Sequence, residues 1–225
     1  MNKIADLVGG IPTKLPPFRE VNHEIKLIDP GKRIIYRLPK CPDALKAELA
    51  EKISQYISTG WWVPTTTRQA VPMLCMLKKS GKLCMVFNLC MQNDNTEKDV
   101  LPFPDQDTIW HDVARAPYRS KLDMSEVYEQ IRIRLEDVPK TTFSTIFSTF
   151  MSRVMQQGDC NAPSTFQWLM TAVFHDYIAQ FVHVYLNDIF IYSSSIEEHE
   201  AHLVIVFNRL REAQLYLSQI GRGHV

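Results

Sequence analysis

Apolar and polar positions follow two different periods along the chain, and the places where the period changes mark the elements. Residues 1–40 are rich in proline and follow neither period, which predicts an extended arm. Asp43 then opens a helix, an apolar stripe of Leu45, Leu49, Ile53, Tyr56 and Ile57 carries it, and Gly60 closes it. Two strand-like runs follow, "VPMLCMLKK" and "KLCMVFNL", joined at Ser80-Gly81 as a hairpin. The segment "LPFPDQDTIWHDVAR" stalls at its two prolines and starts a helix near Asp105.

From Tyr118 the order becomes strand, short helix, strand, in "YRSKLDM", "SEVYEQ" and "IRIRL". A strand or hairpin through "TTFSTIFSTFMSRV" comes next, then a long, mostly buried helix over "NAPSTFQWLMTAVFHDYIAQ". The run "VYLNDIFIY" has two apolar arms around the polar pair Asn187-Asp188, the pattern of a hairpin with that pair as its turn. Ser195 and Glu198 form a capping box that starts an amphipathic helix reaching about Leu217. Mixed strands with helices packed on one face define an α+β fold, whose second half resembles a split βαβ arrangement.

Asn187-Asp188 admits a second reading, as part of an active site. Asp123 ends a predicted strand, where its carboxylate could meet the tip of a neighbouring hairpin. Asp123 and Asp188 could then ligate Mg²⁺, which takes hard oxygen ligands and needs only one or two protein carboxylates. Asp123 could equally be a helix N-cap. Gln157-Gly158 precedes a helix start marked by Asn161, Ala162 and Pro163, where unpaired N–H groups favour an anion; a plain loop explains it as well. Lys78, Lys79 and Lys82 surround a hairpin tip, either to grip phosphates or simply to be solvated.

Bulk properties narrow the classes. The 225 residues can bury a real core, and 45% hydrophobic with 22% charged residues is the composition of a soluble globular protein. No apolar stretch approaches a membrane span and the N-terminus has no signal-peptide h-region. Five cysteines without CxxC or zinc-ligand spacing predict free thiols and an intracellular location, nucleus and cytoplasm not being distinguished. The formal net charge of zero conceals a segregation: residues 1–82 carry fourteen Lys and Arg against seven Asp and Glu, and residues 83–225 carry eleven against eighteen. Such halves could hold a polyanion on one side and a divalent cation on the other, or be two solvated surfaces.

In order and spacing these pieces resemble the fingers and palm of a reverse transcriptase from a Gypsy-class long-terminal-repeat retrotransposon, from about Pro17 to Ser218. The carriers include "GWWVPTTTRQAVPMLCMLKKSGKL", "PFPDQD", "SKLDMSEVYEQIRI", "VMQQGDCNAPSTFQ" and "FVHVYLNDIFIYSSSIEEHEAHL". The resemblance implies an N-terminal arm over 1–40, fingers mainly over 41–117 and a palm mainly over 118–225, partly interleaved. The implied palm is a ferredoxin-like antiparallel sheet with helices on one face. It also implies an RNA-directed DNA polymerase using Mg²⁺ or Mn²⁺, an RNA or DNA template-primer and deoxynucleoside triphosphates. Asp123 and Asp188 match metal-binding aspartates, and Tyr128 matches the aromatic gate against ribonucleotides. Lys79 matches a nucleotide contact, and Gln157 and Gly158 match the loop under the incoming nucleotide.

The chain departs from the pattern at several points. Asn187 stands where the family has its second metal-binding aspartate, and Cys84 where it has an arginine that clamps the triphosphate. Asn88 and Cys90 replace an Asp and an Arg, and Glu126-Val127 replaces Asp-Ala beside the gate. The family also continues into a thumb beyond the matched span. These departures imply impaired catalysis, with a non-catalytic nucleic-acid-binding remnant or a decayed element as the alternative.

Overall fold

The computed structural model describes residues 4–8, 14–33, 37–67, 69–77, 81 and 83–218. The helices are α1 (Ala5–Val8), α2 (Lys46–Ser58), α3 (Cys90–Asn93), α4 (Gln106–Arg115), α5 (Ala162–Phe174) and α6 (Ile196–Glu212). The strands are β1 (Trp62–Pro64), β2 (Val71–Leu77), β3 (Leu83–Phe87), β4 (Tyr118–Asp123), β5 (Phe143–Ser144), β6 (Thr149–Ser152), β7 (Val182–Tyr185) and β8 (Asp188–Ser193). They form a five-stranded sheet in the order β1-β6-β5-β2-β3 and a three-stranded sheet in the order β4-β8-β7. The fold is therefore α+β. Because β5 and β6 follow β4 in the chain yet join the first sheet, the two halves interleave.

Both ends of the helix-start chemistry work as the side chains dictate. The Asp105 carboxylate accepts from the Thr108 N–H at 3.0 Å and caps α4. Ser195 Oγ accepts from the Glu198 N–H at 3.2 Å, and the Glu198 carboxylate accepts from the Ser194 N–H at 3.1 Å, at the start of α6. α2 follows a 3-10 turn at Asp43–Leu45 and buries Leu49, Ile53 and Tyr56 against the five-stranded sheet, whose core includes Trp62, Phe143 and Phe150.

Three expectations are corrected. "IRIRL" is not a strand: Arg132 and Ile133 make single bridges to Val154 and His23, and Leu135–Thr141 is 3-10 helix. The competing partner is the arm, whose His23 occupies the edge that a longer strand would need. α5 stops at Phe174, six residues short of the apolar run, because the chain must turn back into β7. α6 ends at Glu212, not near Leu217, since Gln214 adopts a left-handed φ of 51° and sends the chain back under the sheet. There Leu217 pairs with Met124. Among its described residues the arm carries one helix, α1, and otherwise only isolated bridges.

The arm also locks the second half of the molecule. The buried Arg19 guanidinium donates to the carbonyls of Ala213 at 2.8 Å, Gln130 at 2.6 Å and Gln214 at 3.1 Å. Burial lowers its pKa to about 10, which leaves it charged at neutral pH, facing the carbonyl end of α6. The Gln130 amide closes the same knot, donating to the Tyr216 carbonyl at 3.0 Å and accepting from its N–H at 2.8 Å.

A second polar knot joins β4, β8 and α6. His199 Nε2 lies 2.8 Å from Ser120 Oγ, and Ser193 Oγ lies 2.9 Å from His199 Nδ1 and 2.8 Å from His202 Nδ1. Burial, then the neighbouring His202, lowers the His199 pKa. The fold thus favours neutral imidazole, and the unfolded chain takes up the proton first. This stability is intact above the ordinary histidine value of 6.5 and is lost as pH falls below it. We expect the melting temperature to drop between about pH 7.5 and about pH 5.5. The drop should be clearly smaller in His199→Gln; an equal drop in both proteins would show that His199 does not set the acid response.

Candidate active site

β4 and β8 run antiparallel in a register that sets Asp123 directly opposite Asp188. Leu122, Ile189 and Ile191 turn to the face covered by α5 and α6, so strand alternation sends Lys121, Asp123, Asp188 and Phe190 to the other face. α4 packs on that second face, with Ile109 and Val113 against Phe190 and Trp110 edge-on to the same ring at 5.7 Å. The sheet is thus covered on both faces, and the acid pair lies at its open end.

The turn is not the pair that the sequence pattern suggests. Tyr185 is paired with Asp188, so the two loop residues are Leu186 and Asn187, and Asp188 belongs to β8. Leu186 carries the strained conformation, at φ 50°, which costs a leucine roughly 1–2 kcal/mol. Gln167 of α5 holds it there. Its Oε1 accepts from the Leu186 N–H at 2.9 Å, and its Nε2 donates to the Val184 carbonyl at 3.1 Å. On the other side the Asn187 carbonyl accepts from the Met124 N–H at 3.0 Å. The hairpin tip is therefore fixed from both flanks.

A like charge on the facing residue raises the cost of ionising Asp123. The Asp123 pKa is pushed up, by lost hydration first and then by its hydrogen bond to Asp188 and that group's charge. Lys121 and Ser218 oppose the rise. The Lys121 ammonium sits 2.8 Å from the Asp188 carboxylate. Below the pair, the Ser218 N–H and Oγ donate to the Asp123 carbonyl at 2.8 and 2.9 Å. Asp123 is no helix N-cap; Glu126, at a φ of 37°, precedes the 3-10 turn Val127–Gln130.

The remaining predicted residues spread along a path from the acid pair toward the five-stranded sheet. Tyr128 is half-buried in the 3-10 turn, packed on the core of the three-stranded sheet, and burial raises its phenol pKa. Gln157 is exposed, and Gly158 adopts a φ of 101° that only glycine takes without strain. The Gly158 carbonyl accepts from Asn93 Nδ2 at 2.9 Å, which sets this loop beside α3. Cys84 lies in β3 opposite Met76, half-buried. Lys79, with Lys78 and Lys82, lies outside the described residues. Among the described residues no hydrogen bond or ion pair joins Gln157, Gly158 or Cys84 to the acid pair, and no group of three or more His, Cys, Asp and Glu could hold a metal ion. The ligand chemistry present at the tip is two carboxylates plus the exposed amide of Asn187.

Three side chains that contact the acid pair or its hairpin escaped the sequence reading. Lys121 had a visible signal, lying two residues before Asp123 and so on the same strand face. Gln167 had a weaker one, an amide among the mostly apolar residues of a largely buried helix. Gln106 had none: its amide reaches the Tyr185 hydroxyl, and Phe103 lies 6.3 Å from the Tyr185 ring, contacts made only by the packing of α4.

The brace on the turn is directly testable. Gln167→Leu keeps the volume, removes both hydrogen bonds and strands the Val184 carbonyl. We expect a loss of about 2 kcal/mol in urea unfolding. A loss below about 0.5 kcal/mol would show that the turn holds itself.

Comparison with known proteins fits this geometry. A family model described as reverse transcriptase (RNA-dependent DNA polymerase) matches residues 66–219. An RNA-directed DNA polymerase homolog of Oenothera berteroana is 39% identical over 134 residues, covering 58% of this chain and 93% of the relative. The transposon Tf2-3 polyprotein of Schizosaccharomyces pombe is 27% identical over 207 residues, covering 92% of this chain but 16% of the polyprotein. Among solved structures, the foamy viral protease-reverse transcriptase in complex with dsDNA superposes with a TM-score of 0.76 at 20% identity, over 89% of this chain and 40% of that one. The same viral protein in complex with an RNA/DNA hybrid gives 0.77 at 19%, over 91% and 28%. At such identities the structural likeness speaks to the fold alone.

Proposed function

Because the chain belongs to the reverse transcriptase (RNA-dependent DNA polymerase) family, we propose that its acid pair is the nucleotidyl-transfer site of a Gypsy-class retrotransposon enzyme. The facing of Asp123 and Asp188 across β4 and β8 carries this reading. In it the five-stranded sheet is the fingers, the three-stranded sheet the palm, and residues 1–40 the arm that ties them together. The substrates are a primer on an RNA or DNA template and deoxynucleoside triphosphates.

The donor set fits a divalent ion. Two carboxylates stand at a solvent-open strand end, Asp123 with its proton affinity raised by burial and then by Asp188, and the single ammonium of Lys121 offsets only part of their charge; such a pair would hold Mg²⁺ or Mn²⁺. Ions bound there supply Lewis-acid stabilisation of the attacking and leaving oxygens. Asp123 and Asp188 hold the charge, Asn187 contributes a neutral oxygen, and the Gln167 brace keeps the tip in place. Tyr128 shapes the sugar end of the pocket, and Gln157 with Gly158 underlies the nucleotide. Lys79 is assigned to the triphosphate by family pattern alone.

Two features lower the activity of this copy. Asn187 removes one unit of ligand charge; if that takes away about 4 kcal/mol of transition-state stabilisation, the rate falls roughly a thousandfold. Cys84 cannot make the bidentate phosphate contact of an arginine. A non-catalytic nucleic-acid-binding role is the second reading, favoured by the excess of seven positive charges in residues 1–82. An intracellular setting follows from five free thiols, Cys41, Cys75, Cys84, Cys90 and Cys160. Among the described residues no helix is long and apolar enough to cross a membrane.

Primer extension with Mg²⁺ and Mn²⁺ tests the reading. We expect extension near background in the unmodified chain and salt-dependent binding of primer-template. Asn187→Asp should tighten Mn²⁺ binding by roughly tenfold, seen by titration or by a larger ion-dependent rise in melting temperature. Extension should stay low until Cys84→Arg is added. No gain in ion affinity in Asn187→Asp would exclude the tip as the metal site, and robust extension by the unmodified chain would show that Asn187 is tolerated.

A further inference from the structure

Two thiols that take no part in the acid pair are set side by side by the end of the arm. Lys40 makes a parallel bridge to Leu74 of β2. The Cys75 N–H donates to the Lys40 carbonyl at 2.8 Å, and the Lys40 N–H donates to the Met73 carbonyl at 3.3 Å. One step further along this ladder Cys41 stands beside Cys75, and alternation sends both side chains to one face. That face is the core of the five-stranded sheet: Cys75 is buried within it, and the half-buried Cys41 packs against it.

The two thiols touch. Cys75 is in hydrogen-bond contact with Cys41, whose own thiol reaches the Pro42 carbonyl at 3.6 Å. Burial, then that contact and the charge of Cys41, push the Cys75 thiol up to about 12. Neighbouring strands run about 4.7–4.9 Å apart, inside the roughly 4.4–6.8 Å between Cα atoms that a disulfide spans. Backbone and sulfurs are thus placed for a bond, while both cysteines are free thiols. The placement is specific. Cys84 pairs with Met76, the neighbour of Cys75, and so lies on the opposite face of the sheet.

We propose that Cys41 and Cys75 are a disulfide-forming site, closed by exchange with a low-molecular-weight disulfide such as glutathione disulfide. In the first step the accessible Cys41 thiolate attacks one glutathione sulfur. A Cys41–glutathione bond forms, the glutathione S–S bond breaks, and one glutathione thiolate leaves and takes up a proton. Cys75 then gives its proton to solvent and attacks the Cys41 sulfur, expelling the second glutathione thiolate. Two protein thiols and one glutathione disulfide become one protein disulfide and two glutathione thiols. The bond closes the chain from 41 to 75, a loop that carries α2 and β1, and fastens the arm to the five-stranded sheet. In a reducing compartment the pair rests as thiols, and a shift to oxidising conditions sets the link. Neither step involves Asp123 or Asp188, so the link is independent of the chemistry assigned to them.

The test incubates the full chain with glutathione disulfide at about pH 7.5 and about pH 8.5, then blocks the remaining thiols. Links are mapped by trypsin digestion and mass spectrometry. We expect the dominant link to join peptides 41–46 and 69–78, which carry Cys41 and Cys75 as their only cysteines. Conversion of the Cys41–glutathione adduct to the link should quicken roughly tenfold between the two pH values, following the thiolate fraction of Cys75. The oxidised chain should melt at least about 5 °C higher than the reduced one and return to the original value with dithiothreitol. Cys75→Ser should keep the adduct on Cys41 and lose both the link and the gain in melting temperature. Cys41→Ser changes only the half-buried member and should also lose both, with folding confirmed by melting. Absence of the 41–75 link, or links spread evenly over the five cysteines, overturns the proposal. A link that leaves the melting temperature unchanged or lower also overturns it, by showing that the sulfurs had to be dragged together.

Discussion

The register of β4 against β8 is the constraint on which the rest of the site depends. Side chains alternate faces along a strand, so a slip of one residue would turn Asp188 into the apolar core and bring Ile189 out to Asp123. What forbids the slip is the burial of Leu122, Ile189 and Ile191 beneath α5 and α6, each worth on the order of 1.5–3 kcal/mol if removed from water. The polar contacts of the inner face agree with it, because Ser120 and Ser193 meet His199 only in this register. Hydrophobic burial on one face thus positions two repelling carboxylates on the other.

That repulsion is carried by the scaffold. Asp123 and Asp188 are held by strand pairing, and Lys121 is the cation that partly neutralises them in this structure. The pair is open to solvent, so the interaction is screened and an ion from solution can reach it. The strained Leu186 is the weakest point of the arrangement, and the tip is tied around it: Val184 and Leu186 through Gln167, Asn187 through Met124. A hairpin tip that moved freely would lose the facing geometry even with every carboxylate present.

The arm and the chain after α6 reach the same place from opposite ends of the sequence. Arg19, Gln130 and Tyr216 form one network, and Ser218 supports the Asp123 backbone. The end of β4 therefore rests on residues nearly two hundred positions apart. This explains why α6 stops early. Continuing the helix past Gln214 would leave the Asp123 carbonyl without Ser218, break the Met124 bridge and remove Tyr216 from the Gln130 amide.

Much was legible from order along the chain alone: the starts of α4 and α6 from Asp105 and Ser195, the β2–β3 pairing, the arms of the terminal hairpin, and the meeting of Asp123 with the hairpin that carries Asp188. These follow from local chemistry, namely side chains that cap a neighbouring N–H and apolar positions that repeat every second or fourth residue. The turn at Leu186-Asn187 was not legible, because residue preference favours Asn and Asp at positive φ, while Gln167 of another helix forces that conformation on a leucine. "IRIRL" had the alternation of a strand but lost its ladder to the arm. Gln106 and Ser218 reach the hairpin and the Asp123 backbone only through packing. The sequence by itself determined which groups could do chemistry, since that depends on side-chain type and local spacing. Only the tertiary structure decided which of them meet, because meeting depends on long-range burial that no local pattern encodes.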